Sequence, residues 1–157
     1  LGIERDGQHK SVTVKLAKYR DVYFMGILPG EKYVFPFKIN ITLNDLDGPS
    51  AGLMMALSVY DELTPGNLTG GERFSGTGTI SQYGTVGAIG GIRQKMIGAV
   101  DAGYKYFFAP VANCNEVVGN VPDGLRVFKV RTFDDALRVI DTVTSRGDVE
   151  SLPTCNN

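Results

Sequence analysis

The sequence predicts a mixed α/β fold of the α+β kind, β-rich at its start and then ordered α-β-β-α-β-α-β-α. Three observations carry this. Residues 1–43 contain short runs of alternating polar and apolar side chains broken by turn residues. A stretch rich in Ala, Leu and Met, without internal proline, follows Asp47-Gly48-Pro49. Beyond residue 100, brief apolar runs alternate with segments of helical spacing, the pattern of strands paired at least partly in parallel.

Taken in order, residues 1–18 read as strands joined by a hairpin turn at Asp6-Gly7, with Ser11-Val12-Thr13-Val14-Lys15-Leu16 the clearest run. Strands are also expected over 22–28 and 33–43, on either side of Pro29-Gly30. A helix from Ser50 to about Leu63 stops at Thr64-Pro65-Gly66. Two β segments, 74–80 and 86–89, flank the turn Gln82-Tyr83-Gly84. A second helix is expected from Ile92 to Ala102, with Ile92, Met96, Ala99 and Val100 on one face and Gly103 ending it. Tyr104 to Ala109 is a short apolar strand closed by Pro110. A short helix over 113–118, a strand over 125–130 and an amphipathic helix over 132–143 complete the pattern, with Thr132 as its cap. Residues 144–157 are polar and read as a flexible tail.

At 157 residues the chain has the length of one domain with a real core. A formal net charge of −1 provides no basic footprint for nucleic acid or for an anionic membrane. No apolar run approaches a membrane span. The chain opens at Leu1 rather than Met, as an excised or processed part of a longer protein would. Cys114 and Cys155 lack CxxC spacing and have one histidine, His9, for company, which excludes a structural zinc site. A Cys114–Cys155 disulfide in an oxidising compartment and two separate thiols both fit the sequence.

Ser50 falls at the amino end of the first helix, where orphan N–H groups and the positive dipole end converge. Alone, it reads as an N-cap. Lys95 lies one turn into the second helix, after Gly87-Ala88-Ile89-Gly90-Gly91. That glycine run meets neither GxGxxG nor GxxxxGK[ST], so no nucleotide is expected. A serine hydroxyl attacks well only when a neighbouring base takes its proton. With His9 far away in a hairpin, a lysine is the alternative base, and it must be neutral. Lowering a lysine pKa by about 3 units from about 10.4 costs roughly 4 kcal/mol, which apolar burial supplies. Met54, Met55, Ile89, Ile92 and Met96 are expected to provide that surrounding.

Asp47-Gly48-Pro49-Ser50-Ala51-Gly52, then Thr77-Gly78-Thr79-Ile80, then Val86 through Lys95, resemble the proteolytic domain of Lon-type peptidases. Ala99-Val100-Asp101-Ala102-Gly103, Phe107-Phe108-Ala109-Pro110 and Asn113 continue the resemblance, which covers roughly residues 36 to 143. It implies the Lon proteolytic fold and a serine endopeptidase working through a Ser-Lys dyad, with no metal and no cofactor. By position Ser50 is similar to the nucleophile, Lys95 to the general base, and Thr77 to the threonine that helps hold the lysine. Backbone N–H groups around Gly48, Pro49, Ser50 and Ala51 would stabilise the oxyanion, and Asp47 would pair with Lys95 at rest. A polypeptide would bind along the β edge between residues 74 and 82.

No ATP-binding module is present in the sequence, and Pro36 and Lys38 stand where many ATP-dependent relatives carry histidines. Asp61 to Gly71 is more similar to the secreted or membrane-anchored bacterial branch, in which a PDZ domain precedes the Lon-like domain. The resemblance thus implies an ATP-independent enzyme on the extracytoplasmic face of a membrane or secreted, with no nucleic-acid or nucleotide partner. It also implies a PDZ domain in cis, ending within residues 1–20, a proteolytic domain over 21–143, and a homo-oligomer, since hexameric rings are usual among the relatives. Two other readings keep the same residues: a silent peptide-binding or scaffold domain, and another serine amidase or esterase.

Overall fold

The computed structural model describes residues 1–27 and 48–156. The chain divides into two compact units, Leu1–Thr42 and Leu43–Asn157.

In the first unit Asp6 and Gly7 adopt positive φ (54° and 72°) and join β1 (Gly2–Arg5) to β2 (Gln8–Ser11), with Glu4 opposite His9. Arg20 and Asp21 turn in the same way (φ 45° and 63°) between β3 (Ala17–Tyr19) and β4 (Val22–Phe24). The strand expected over Ser11–Leu16 does not form beyond Ser11. The Asp6-Gly7 turn sets the register, Gly2 pairs Ser11, and the Val12 N–H closes on the Leu1 carbonyl at 2.9 Å. Past that point the alternation has no partner strand in this hairpin, and period alone does not make a strand. Among residues 1–27 only Ile3 is even half-buried. The strand expected over 33–43, and the last residue of that expected over 22–28, lie outside the described residues.

The second unit is built on two largely buried strands, β8 and β9. Its elements in order are α1 (Gly52–Leu63), β5 (Phe74–Gly76), β6 (Thr79–Ile80), β7 (Val86–Gly87), α2 (Ile92–Asp101), β8 (Tyr106–Pro110), α3 (Cys114–Val117), β9 (Arg126–Val130) and α4 (Phe133–Thr144). β8 lies between β5 and β9 and pairs with both in parallel, as the late α/β alternation predicts. Successive side chains then go to opposite faces. Phe108, Phe128 and Val130 meet Leu53 and Leu57 of α1 and Ala136, Val139 and Ile140 of α4. Phe107, Ala109 and Val127 meet Ile92, Met96 and Ala99 of α2 and Val117 of α3. Helices therefore cover both faces of the sheet. The fold is mixed α/β, as the sequence predicts.

The segment 74–80, expected as one strand, is two. At Thr77-Gly78 it leaves the parallel sheet and enters an antiparallel pair, β6 with β7. Gly78 has φ 151°, and a Cβ there would come within 2.6 Å of Val86 Cγ1, so only glycine makes this passage. At α4 the expected cap is present. Thr132 Oγ1 accepts from the Asp135 N–H at 3.2 Å, and Asp135 Oδ2 accepts from the Thr132 N–H at 3.1 Å. Burial opposes ionisation of Asp135, but N–H donors of Arg131 and Thr132 outweigh it and hold the carboxyl below its ordinary value.

Residues 144–157 are read from sequence as a flexible tail; of these, the described residues 144–156 are docked. Leu152 is buried with the α1–α4 core, and the Lys129 N–H bonds the Pro153 carbonyl at 3.0 Å. Arg126 pairs with Glu150 and donates to the Val149 carbonyl at 3.0 Å. Cys155 is disulfide-bonded to Cys114, which decides between the two thiol states the sequence leaves open. Polar composition hid this docking, because one leucine and one cysteine hold the segment.

Candidate active site

Gly48 (φ 83°) opens a single 3-10 turn, Pro49–Ala51, which leads directly into α1. Ser50 does not cap either helix: neither Gly48 nor Ala51, the capping positions, receives a side-chain bond, and Ser50 lies inside the turn. The turn is held on the bend after β5. The Ser50 carbonyl accepts from the Gly78 N–H at 2.8 Å and from Thr77 Oγ1 at 2.9 Å. The Leu53 N–H donates back to the Gly78 carbonyl at 3.0 Å. A Cβ at Gly52 would lie 3.1 Å from the Ile80 nitrogen, so glycine permits this close approach.

Lys95 arrives from the other face of the sheet. Gly91, in the left-handed region at φ 71°, starts α2, and Ile92 and Met96 are fully buried beneath it. One residue turns a helix by about 100°, so Lys95 stands on the flank of that buried stripe. Its Nζ lies 3.5 Å from Ser50 Oγ, at the outer limit of a hydrogen bond. Resting catalytic contacts are often this long and tighten with substrate. The two groups meet past the carboxyl end of β5, where ligands of parallel sheets commonly sit.

Two expectations are corrected here. Lys95 is exposed, not enclosed by methionines and isoleucines, because Ile92 and Met96 turn inward as core. Thr77 is buried, but its hydroxyl donates to the Ser50 carbonyl rather than meeting Lys95. Of the residues expected around an oxyanion, Gly48, Pro49 and Ala51 all lie in or beside the turn, but proline has no N–H and donates nothing. Asp47 lies outside the described residues.

A cleft of about 260 Å³ opens between Ser50 and Lys95 and runs to Ala99, Tyr104 and Phe107. The Arg73 guanidinium lies 4.5 Å from the Tyr104 ring centroid and also donates to the Ala102 carbonyl at 3.2 Å, which steadies that wall. Sequence reasoning missed these wall residues, since nothing local distinguishes them from core. It placed Asn113 within the resemblance but gave it no role; Asn113 is 2% exposed and grips the backbone of Ile89. A lone asparagine between an apolar strand and a helix was the available signal. Among the described residues no three or more of His, Cys, Asp or Glu gather as metal ligands would, and no helix is long and apolar enough to cross a membrane.

Residues 44–143 match the family described as Lon protease (S16) C-terminal proteolytic domain. Over 95 residues, 59% of the chain, it is 36% identical to the Lon protease of Azospirillum brasilense. It is 36% identical over 98 residues, 58% of the chain, to that of Clostridioides difficile. It is 30% identical over 96 residues, 59% of the chain, to that of Buchnera aphidicola subsp. Schizaphis graminum. In each case the match spans 12% of the relative's own length.

Proposed function

The chain belongs to the Lon protease (S16) C-terminal proteolytic domain family, and from that premise we propose that it is an ATP-independent serine endopeptidase with Ser50 as nucleophile and Lys95 as general base. The observation that supports this most is the 3.5 Å approach of Lys95 Nζ to Ser50 Oγ, 45 residues apart in sequence. Neutral Lys95 takes the proton from Ser50 Oγ, and the oxygen attacks the scissile carbonyl carbon. The tetrahedral oxyanion collapses, the C–N bond breaks, and the lysine ammonium protonates the leaving amine. Water then attacks the acyl ester, gives a proton to Lys95, and releases the acid as Ser50 regains its proton. Backbone N–H groups of the Gly48–Ala51 turn, at the positive end of α1, stabilise the oxyanion.

Thr77 acts through the Ser50 carbonyl, holding the nucleophile's backbone. Asp47 is the proposed resting partner of Lys95. A peptide adds along the β5 edge and seats one side chain in the cleft against Ala99, Tyr104 and Phe107. Once bound, it displaces water from around Ser50 and Lys95.

We also assign the chain to the PDZ-linked, extracytoplasmic bacterial branch, acting as a homo-oligomer. The Cys114–Cys155 disulfide supports this, since such bonds persist in oxidising compartments. So does the hairpin of residues 2–11, within the expected segment 1–20, which buries no side chain fully and fits the closing strands of a preceding PDZ domain.

The test is hydrolysis of casein or a fluorogenic peptide across about pH 6 to 10, the range leading up to lysine's ordinary value, with Ser50→Ala and Lys95→Met beside the parent. Each variant should lose activity roughly 10³-fold or more with its fold retained. Activity persisting in either would overturn the dyad. The exposure of Lys95 favours one second reading, peptide capture without turnover; it predicts binding by the parent and no cleavage at any pH.

A further inference from the structure

The lysine's helix starts behind two glycines, Gly90 and Gly91, and its first turn has no side-chain cap. Glycine pairs leave a backbone free to swing, yet Lys95 has to stay within reach of Ser50. The restraint comes from Asn113. Its Oδ1 accepts from the Ile89 N–H at 3.0 Å, and its Nδ2 donates to the Ile89 carbonyl at 2.8 Å. The same Nδ2 donates to Glu116 Oε1 at 2.8 Å, which fixes which side of the amide faces which backbone group. A second tether runs nearby, from Arg93 Nε to the Glu116 carbonyl at 3.4 Å.

Asn113 is itself mounted on rigid parts. It follows β8, which is paired on both edges, and precedes Cys114, which is bonded to Cys155. At 2% exposure its bonds face no competition from water. Ile89 is six residues before Lys95, just ahead of the glycine hinge. A buried amide that takes both backbone groups of one residue at a hinge sets where the following helix points.

We propose that Asn113 is the positioning residue for the general base: by clamping Ile89, with its amide oriented by Glu116, it aims α2 so that Lys95 reaches Ser50. This rests on the peptidase reading for its catalytic consequence, but the clamp has its own readout. The experiment compares the parent, Asn113→Ala, Asn113→Asp, Glu116→Ala and Ser50→Ala by peptide hydrolysis and by amide hydrogen exchange. In Asn113→Ala, exchange should rise in residues 89–95 while β8, β9 and α4 stay protected. Its kcat should fall roughly 10- to 100-fold with KM nearly unchanged, as misplacement of a reacting group does, and the rising limb of the pH profile should move. Asn113→Asp keeps the acceptor for the Ile89 N–H but loses the donor and faces Glu116, so it should not rescue. Glu116→Ala should show the same changes, smaller, and it decides the matter if Asn113→Ala fails to fold. Unchanged exchange in 89–95, with kcat and the pH limb at parent values, would overturn the clamp while parent cleavage and an inactive Ser50→Ala leave the peptidase reading standing. Local release of 89–95 in Asn113→Ala, beside a parent that cleaves nothing, would uphold the clamp and sink the peptidase reading.

Discussion

Ser50 and Lys95 reach the same point from opposite faces of one sheet, and they are held in different ways. On the serine side, two hydrogen bonds grip the residue's own carbonyl and a third fixes Leu53 three residues on. On the lysine side the backbone is held six residues upstream, at Ile89, and the amine sits at the end of a long exposed side chain. Ser50, the proposed nucleophile, is placed by its main chain; Lys95, the proposed base, is placed by the helix that carries it. From this difference α2 is expected to be the softer side of the site, with the pair 3.5 Å apart.

The largest test pairs two core residues, Leu53 under Ser50 and Met96 beside Lys95, both 0% exposed. Each replacement by alanine should destabilise by about 2–5 kcal/mol in urea denaturation. Met96→Ala should also lower kcat of the folded enzyme, whereas Leu53→Ala should change it little, because the bonds to the Ser50 carbonyl remain. The reverse ranking would show that the serine side is the soft one.

Thr77→Val asks how much the main-chain grip contributes. It keeps the shape and removes the 2.9 Å bond to the Ser50 carbonyl while the Gly78 N–H bond stays. Stability should drop by about 1 kcal/mol and kcat by roughly 10-fold. A kcat equal to the parent's would mean that the Gly78 bond alone suffices.

The smallest effect belongs to α4, away from both residues. The Asp135 carboxyl lies below its ordinary value in the folded protein, so its contribution to stability is full above about pH 3.9 and is lost as pH falls through the folded value. Melting temperatures measured down to acid pH should show this loss in the parent and not in Asp135→Asn. That variant should start about 1 kcal/mol lower at neutral pH, the usual scale of a lost cap contact. Its kcat should match the parent's; a fall would mean that α4 also reaches the site.

Much of the fold is legible locally. Thr132 as a cap, the apolar stripe Ile92-Met96-Ala99 and the short strands expected over 104–109 and 125–130 are written within a turn or two of chain. Legible too are the two residue types of the site, a serine at a helix start and a lysine after a glycine run, because their chemistry depends on type and on immediate neighbours. Tertiary structure decided the rest. It sent Met96 and Ile92 inward and left Lys95 in water, turned the Thr77 hydroxyl onto the Ser50 carbonyl, split 74–80 at Gly78, and docked the polar tail through Leu152 and Cys155. Periodicity shows which residues share a face. What that face meets depends on elements 31 to 45 residues distant, whose paths no short window of sequence contains.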